Sequence, residues 1–425
     1  MIKHLIELIT ENKGVTDYRI NTTRTESYEV FFVHKDLETV RATDTTDTAV
    51  TIYVDHDGKK GNALFNVYAS TTDDEIRQKV ADAVETALVI NNENYELPAN
   101  ETLTQELPSN LADEPMKALA ARTADAVFAA DCYKGGSINA LEIFLKRITS
   151  SVINSRGIHK SVTKYSAMIE AIPTWTTEEE SVELYEAYHF GQFDASEITS
   201  EIDRKMQEVR DRQLAKKPEQ PLTCKVVLGT QELTQLLRSI ARELNYASVY
   251  SHSNAYNKGD LIQKDGDGDK LNITMCSSIP GSHFSALFDD DGTALTDTTI
   301  VKDGQAVAYY GSGRFAQYLG EPITGELPCT QVACGTLTDE DLKKEPYFEA
   351  VSMSGLQLDI YSDYIGGEVR LAYYYDGKTV TPVTGISLSG KLSDALKDMK
   401  LSNVQVVRNA YQGPEKALFT GISIV

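Results

Sequence analysis

Four Asp-Gly pairs constrain the fold of this chain more than any other feature. They lie between stretches in which apolar and polar residues alternate, at residues 57–58, 291–292, 303–304 and 376–377. Aspartate and glycine tolerate the positive φ of a two-residue hairpin turn, and alternation is typical of a strand with one buried face. The first pair joins TAVTIYVD to NALFNVYA, after the strand-like stretches YEVFFVHK and LETVRATD. The sequence therefore predicts antiparallel sheets built from hairpins.

Helices flank the strands of the N-terminal half in two successive sets. MIKHLIELITENKG predicts a first amphipathic helix, and Thr72 with Glu75 forms a capping box that opens a second one. The arrangement is repeated by a helix near Met116–Ala129, strands that turn at Ser155–Gly157, and a charged helix over Ser196–Lys216. This repetition is compatible with an internal duplication.

The stretch KKPEQPL contains two prolines and predicts a linker between two domains. We expect an N-terminal domain over residues 1–217 and a C-terminal domain over 218–425. A duplication would divide the first into similar halves at about 1–108 and 109–217, and this alternative stays open. After an opening helix, the second domain is rich in strand-like stretches. The predicted fold class is α+β, with an N-terminal α+β region of helices and antiparallel strands and a C-terminal mainly-β domain.

Composition limits the compartment and the partners. The chain has 425 residues, 41% of them hydrophobic, and its apolar runs are far shorter than the ~20 residues of a membrane span. Five scattered cysteines indicate free thiols, and acidic residues in the first helix argue against a signal peptide. We therefore expect a cytoplasmic protein without membrane contact. A formal net charge of −22 argues against direct nucleic-acid binding, which needs clustered lysine and arginine.

Two loop motifs suggest ligand binding but fail on spacing. KDGDGDK begins like a calcium loop, but positions six and twelve, counted from Asp265, are Lys270 and Cys276 instead of glycine and glutamate. GSGRFA has the glycine spacing of a dinucleotide-binding turn, but it lies among hairpins rather than in a parallel β-α-β unit. We expect an exposed acidic loop at the first motif and a turn after a strand at the second.

The cysteines and histidines show no metal-ligand spacing. Cys329 and Cys334 are separated by four residues and have no second pair, so they do not form a zinc knuckle. His252 and His283 have no second ligand nearby in sequence. We expect no bound metal and no cofactor.

The helix that opens the C-terminal half, in TQELTQLLRSIARELNY, is the informative element. Its aliphatic residues recur every three to four positions and predict one buried face, and Thr230 is the predicted N-cap. The other face carries Arg238, Ser239 and Glu243. A guanidinium has no lone pair to offer a metal. This helix is therefore predicted to be structural.

Several stretches together resemble the TldD/PmbA family, long described as modulators of DNA gyrase and understood as metallopeptidase complexes. They follow in family order over nearly the whole chain: GNALFNVYASTTDDEIRQKVADAVETALVI, SSVINSRGIHKSVTKYSAMIEA, FDDDGTALTDTTIVKDGQAVAYY, GRFAQYLGEPITGE and YYYDGKTVTPVTGISLSGKLSDALKDM.

The resemblance also implies what is missing. TldD-like chains carry H-E-x-x-x-H on the helix that opens the C-terminal domain, with a cysteine near the C-terminus as a third zinc ligand, and TldE (PmbA)-like chains lack both. Here the motif falls on Arg238, Ser239 and Glu243, a degenerate remnant, and no cysteine follows Cys334. The resemblance thus implies a TldE-like chain with no catalytic and no metal-binding residues.

The expected function follows from this placement. The chain is predicted to be a non-catalytic subunit of a zinc peptidase complex that acts on unfolded or extended peptides. Its expected partners are a TldD-like zinc peptidase subunit, in a heterodimer, or a second copy of itself. Two alternatives stay open: a self-sufficient hydrolase with an unrecognised site, and a stand-alone homodimeric binding protein.

Overall fold

The computed structural model describes residues 2–264 and 266–425. Its helices and strands confirm the predicted α+β class with a strand-rich C-terminal part. Over the described residues, we find no helix that is long and apolar enough to cross a membrane. The calcium-loop motif begins at Asp265, which lies outside the described residues. The domain limits remain predictions.

We call residues 2–214 the N-terminal region; they form one sheet and four α-helices. The elements are α1 (Ile2–Glu11), β1 (Asp17–Val33), β2 (Asp36–His56), β3 (Lys59–Val67), α2 (Asp73–Leu88), β4 (Thr102–Glu106), a 3₁₀ turn (Asn110–Ala112), α3 (Met116–Ala129), β5 (Gly136–Asn154), β6 (His159–Thr176), β7 (Ser181–Glu183), β8 (Glu186–Phe190) and α4 (Ala195–Leu214).

The sheet of the N-terminal region has the strands β1 and β5 at its centre. Its strand order is β3-β2-β1-β5-β6-β4, and β7 and β8 also pair with β6. The central pair, β1 with β5, is antiparallel from Arg19↔Asn154 to Val33↔Ala140. Helices α1 and α2 bury their apolar faces on one half, in a cluster with Val50 of β2. Helices α3 and α4 do the same on the other half, around Ile143 of β5.

One predicted strand boundary is wrong. LETVRATD and TAVTIYVD were expected as separate strands, but both belong to the 21-residue strand β2. The junction DTTDT, residues 44–48, contains three β-branched threonines and no glycine or proline, so nothing interrupts the extended backbone. The negative charge of Asp44 in this segment is balanced, because its carboxylate accepts a hydrogen bond of 2.7 Å from the Arg24 guanidinium of β1.

We call residues 221–425 the C-terminal region; they form two further sheets. The elements are β9 (Lys225–Leu228), α5 (Thr230–Glu243), α6 (Tyr246–Tyr250), β10 (Ile273–Cys276), β11 (Thr298–Lys302), β12 (Gln305–Ala306), α7 (Gly313–Leu319), β13 (Cys329–Val332), α8 (Asp339–Leu342), β14 (Tyr347–Met353), β15 (Gln357–Asp359), β16 (Tyr364–Tyr375), β17 (Val380–Val383), β18 (Ile386–Lys391), α9 (Leu392–Lys397), β19 (Lys400–Leu401), β20 (Gln405–Arg408), β21 (Tyr411–Pro414), β22 (Ala417–Phe419) and β23 (Ile422–Ile424).

These two sheets share one apolar core around α5. One sheet has the order β12-β11-β10-β13-β21-β20, and the other has β19-β22-β9-β14-β16-β18-β23, with β15 and β17 beside β16. Leu236 and Ile240 of α5 are fully buried in the same cluster as Ile273 of the first sheet and Phe348 of the second. The helix is thereby fixed in place by both sheets.

Most local predictions in both regions are confirmed. The Asp57-Gly58 turn joins β2 to β3 with φ of 48° and 74°, and Asp303-Gly304 joins β11 to β12 with φ of 50° and 79°. The capping box at Thr72 is present, because the Thr72 hydroxyl accepts from the Glu75 N–H and the Glu75 carboxylate accepts from the Thr72 N–H.

Two local predictions are wrong. Gly229, not Thr230, is the N-cap of α5, since the Thr230 hydroxyl donates instead to the Glu415 carbonyl at 2.7 Å. GSGRFA was expected to form a turn, but it begins a helix: Ser312 is the N-cap residue of the short helix α7, which begins at Gly313. In the first case the Glu415 carbonyl, from a distant segment, takes the hydroxyl that the local sequence assigns to the cap.

Candidate functional site

The helix α5 lies at the contact between the N-terminal and C-terminal regions. The predicted buried face is confirmed, with Leu233, Leu236 and Leu237 all at 0% exposure. On the opposite face, Gln231 and Thr234 line a cavity of about 310 Å³, whose far side is β8 of the N-terminal region. Part of the α5 surface outside the core therefore faces the N-terminal region and not solvent.

The three remnant residues do not form a ligand set. Arg238 is exposed and Ser239 is half-buried. The Glu243 carboxylate accepts a hydrogen bond of 2.6 Å from the Ala255 N–H and so holds the loop after α6. Positions five residues apart on an α-helix differ by about 500° of rotation, so Arg238 and Glu243 point in different directions. Over residues 2–264 and 266–425, no three His, Cys, Asp or Glu side chains are grouped to hold a metal.

A charge cluster connects α4 and β8 of the N-terminal region to β20 of the C-terminal region. We call it the Arg408 cluster. The Arg408 guanidinium donates to the Glu186 carboxylate at 2.5 Å and to the Glu201 carboxylate at 2.9 Å. The Lys205 ammonium lies 3.0 Å from Glu186 and 2.7 Å from the Glu208 carboxylate. Each charged side chain of this cluster thus has an oppositely charged partner in the same chain.

Glu232, in the first turn of α5, is buried next to the Arg408 cluster, at 5% exposure. Burial raises the pKa of its carboxyl to about 7, and the nearby Glu208 adds to the shift, while Lys205 and Arg408 oppose it. A carboxyl in this state carries a proton through much of the pH range below neutrality. In sequence, a glutamate at a helix N-terminus indicates only a favourable contact with the helix dipole.

Two histidines, one from each region, stack on one another. The rings of His189 in β8 and His283 in the loop 278–285 are 5.3 Å apart between centroids, at an interplanar angle of 19°. Burial lowers the pKa of His283 to about 4, with help from His189 and from the Lys164 ammonium. Burial likewise lowers the pKa of His189. Both rings are therefore neutral near pH 7. His252 does not join them; it follows α6 as an exposed residue with a φ of 54°.

A second cavity lies beyond this histidine pair. It has a volume of about 240 Å³ and is lined by Lys164 and Gln192 of the N-terminal region and by the loop 278–285, which includes His283. We call it the Lys164 cavity. The loop lies close to Gly191, where a Cβ atom would stand 3.0 Å from the Gly281 carbonyl oxygen and 3.2 Å from the His283 nitrogen. A side chain at position 191 would displace the loop, so this glycine keeps the cavity wall in place.

Two buried thiols lie behind the Lys164 cavity. Cys276 and Cys329 are opposite one another in β10 and β13. Burial raises the pKa of Cys276 to about 12 and that of Cys329 to about 11. Both thiols are therefore protonated and are poor nucleophiles. The cysteine pair that the sequence singled out, Cys329 with Cys334, is not the pair that meets.

Together, these groups can hold a polar ligand between two regions, but they do not supply an activated nucleophile with its base. Sequence analysis found α5 and its three remnant residues. It missed the Arg408 cluster, the histidine stack and the Lys164 cavity, because each joins residues from separate segments of the chain. Only an isolated glycine near β8, Gly191, marked a close approach of two backbones.

Comparison with known proteins gives one family match and several structural neighbours. The family model of the PmbA/TldA metallopeptidase C-terminal domain matches residues 221–425. A search of curated proteins finds no match.

Three solved structures share the fold over almost the whole chain. TldE from Thermococcus kodakarensis superposes with a TM-score of 0.82 at 13% identity, covering 100% of this chain and 99% of that one. A protein described as a modulator of a DNA gyrase from Thermotoga maritima MSB8 gives 0.77 at 15% identity, covering 100% and 99%. A protein from Bacteroides thetaiotaomicron VPI-5482, also described as a modulator of DNA gyrase, gives a TM-score of 0.77 at 12% identity, covering 99% of this chain and 97% of that one.

Proposed function

We propose that this chain is a non-catalytic TldE-like subunit of the TldD/PmbA family. The premise is the match of residues 221–425 to the family model of the PmbA/TldA metallopeptidase C-terminal domain. In this proposal it pairs with a TldD-like zinc peptidase subunit in a cytoplasmic complex that cleaves unfolded or extended peptides. The observation that carries the proposal is the state of α5, the helix on which the family's zinc motif falls.

Two features of α5 support a role without chemistry. Arg238 offers no lone pair to a metal, and the Glu243 carboxylate already accepts the Ala255 N–H. Zinc sites need three or four nitrogen, sulfur or oxygen ligands around one point, and the fully packed face of α5 provides none of them. A helix that keeps its core packing and lacks the ligands fits a subunit retained for its shape.

An unpaired strand edge supports the presence of a partner. Strand β3 pairs only with residues 48–56 of β2, so residues 36–47 have β1 on one side and no described strand on the other. This segment is exposed, with Leu37 at 54% and Val40 at 47%. A free edge of this length offers backbone donors and acceptors to another chain or to an extended peptide.

The free thiols support the cytoplasmic assignment. All five cysteines are unbridged, as expected in a reducing compartment. Cys276 and Cys329 are even paired opposite one another across two strands without a bond between them.

The test combines this chain with its cognate TldD-like subunit, a chain that carries H-E-x-x-x-H. We expect the chain alone to leave an unfolded polypeptide intact and the mixture to cleave it, with a chelator abolishing cleavage. The double variant Arg238→Gln, Glu243→Gln should leave the zinc content of the mixture unchanged. The subunit proposal is wrong if the two chains form no stable complex and the partner's activity does not change.

The edge of β2 is tested by charge placed on it. Val40→Lys should weaken the complex at least tenfold, because an ammonium would be buried in an interface of on the order of 2,000 Å². Val380→Lys is the matched control, since Val380 is a similarly exposed strand valine, at 56%, in β17 of the C-terminal region. A homodimer that forms without any partner and is broken by Val40→Lys would favour the stand-alone binding protein. About one zinc per isolated chain, with peptidase activity, would favour the self-sufficient hydrolase.

A further inference from the structure

Two lysines on one face of β6 are treated differently by the fold. Lys160 and Lys164 are four residues apart, so both side chains leave the strand on the same side. Lys160 is 1% exposed, lies 2.7 Å from the Glu101 carboxylate and is 5.7 Å from the centre of the Phe288 ring. Among the described residues, no aspartate or glutamate oxygen lies within 4.0 Å of the Lys164 ammonium. The chain thus supplies Lys160 with a carboxylate partner, whereas the described residues supply none to Lys164.

The missing partner of Lys164 is unexpected in this chain. With 63 acidic and 41 basic residues, a lysine finds a carboxylate easily, and a half-buried ammonium without one is unfavourable. Lys164 is half-buried, and burial lowers its pKa, with only the Cys329 thiol opposing the shift. The fold thus keeps a positive charge in a cavity without an internal counter-charge.

The rest of the Lys164 cavity is neutral and partly apolar. His283 is uncharged near pH 7, and Cys329 behind the wall is protonated. Leu107 and Ile279 contribute aliphatic side chains to the lining, and Ser278 contributes an exposed hydroxyl. A ligand that fits must therefore bring one negative charge on a small apolar body.

The volume of the Lys164 cavity limits the size of the ligand. The cavity of about 240 Å³ is larger than an engineered cavity of about 150 Å³ that binds benzene, so it has room for a carboxylate with one aliphatic residue. Because Gly191 lets the loop 278–285 pack against the N-terminal region, the space is formed before a ligand enters.

We infer that the Lys164 cavity binds the C-terminal carboxylate of a peptide, with the Lys164 ammonium as its counter-charge. The inference depends on the proposed function only for the choice of a peptide as the ligand. In the complex, such a site would hold the free end of a substrate or product chain at the contact between the two regions.

The experiment uses the full chain and a matched pair of short peptides, acetyl-Ala-Leu-Leu with a free carboxylate and the same peptide as its amide. Titration calorimetry should show binding of the acid at least tenfold tighter than binding of the amide. Lys164→Met should lower the affinity for the acid at least tenfold and leave the amide unchanged, whereas Lys164→Arg should retain most of the affinity. Lys117→Met, at an exposed position of α3, is the control and should change neither.

A second measurement covers the case in which Lys164→Met fails to fold. On the unchanged protein, the acid peptide should protect Lys164 from reductive methylation, as read by mass spectrometry, and the amide should not. Equal binding of acid and amide, no binding of the acid at millimolar concentration, or no protection would overturn the inference. Propionate that competes as tightly as the peptide acid would overturn the peptide assignment. Failure to pair with a TldD-like subunit would leave these results unaffected.

Discussion

Two contacts between the N-terminal and C-terminal regions treat buried charge in opposite ways. In the Arg408 cluster, Arg408 lies between Glu186 and Glu201, and Lys205 completes a second set of ion pairs. In the Lys164 cavity, one ammonium lies near a neutral imidazole, and the thiols behind the cavity wall are protonated. A charge that the chain itself neutralises fixes the contact of the two regions. A charge left unpaired in a preformed space is available to a ligand.

The largest effect is expected from breaking the Arg408 cluster. Arg408→Met leaves the buried Glu186 and the half-buried Glu201 without this cation, and removal of one partner of a buried ion pair costs about 3 kcal/mol or more. We expect a decrease of this size in the free energy of unfolding, measured by urea titration. Arg242→Met, at an exposed position of α5, should change it by less than ~0.5 kcal/mol. A loss below about 1 kcal/mol for Arg408→Met would mean that the cluster does not hold the regions together.

The next effect concerns Glu232, which lies beside the same cluster. Its pKa in the folded chain is about 7, above its ordinary value of 4.5, so the folded state holds this proton more tightly than the unfolded state. The associated stability is complete below pH 4.5 and is lost as the pH rises to about 7. Each pKa unit corresponds to about 1.4 kcal/mol.

Replacing Glu232 by glutamine should therefore stabilise the chain by about 3 kcal/mol at pH 8 and have little effect at pH 4.5. Urea titrations of variant and parent at both pH values give the difference, which cancels the titration of the other carboxylates. Glu85→Gln, at an exposed position of α2, should show no such pH dependence. A variant that destabilises the chain equally at both pH values would show that Glu232 is needed as an ion.

A smaller effect is expected at Lys164 without a ligand. Methionine keeps most of the aliphatic volume and removes a half-buried charge that lacks an ion pair, so the unfolding free energy should change by at most about 1 kcal/mol, in the stabilising direction. The same substitution at Arg408 is expected to destabilise the chain, so the two variants distinguish a paired charge from an unpaired one. A destabilisation by more than about 2 kcal/mol would show that Lys164 has a structural partner.

The smallest effect is expected at Arg238. It is exposed, and surface substitutions away from special contacts usually change stability by less than ~0.5 kcal/mol. Arg238→Gln should therefore leave unfolding unchanged in the same titration. A larger change would show that the remnant position still has a role in holding α5 against the N-terminal region.

Local signals in the sequence predicted much of the fold. The Asp57-Gly58 turn, the capping box at Thr72 and the helix Met116–Ala129 each depend on residues within a few positions of one another, and each is present. The same is true of the apolar face of α5, whose period is set by the helix itself. The family resemblance is confirmed over residues 221–425.

The candidate site was less predictable, because its contacts are not local. His189 and His283 meet only because β8 and the loop 278–285 come together in the folded chain, and neither has a spacing that indicates the other. The unpaired state of Lys164 is invisible in sequence, where it looks like Lys160. The N-cap of α5 was wrong for the same reason, since the Thr230 hydroxyl is taken by Glu415.

The central pair of the N-terminal sheet has a consequence for synthesis. Strand β1 is complete at Val33, but its neighbour β5 begins only near residue 136, and Val33 pairs with Ala140. At translation rates of about 5–20 residues per second, the gap lasts on the order of ten seconds. During that time the hairpin of β1 and β2 has emerged with its inner edge unoccupied, open to non-native pairing or to a chaperone. The strand that becomes the centre of the finished sheet thus has an unpaired edge for those seconds of synthesis.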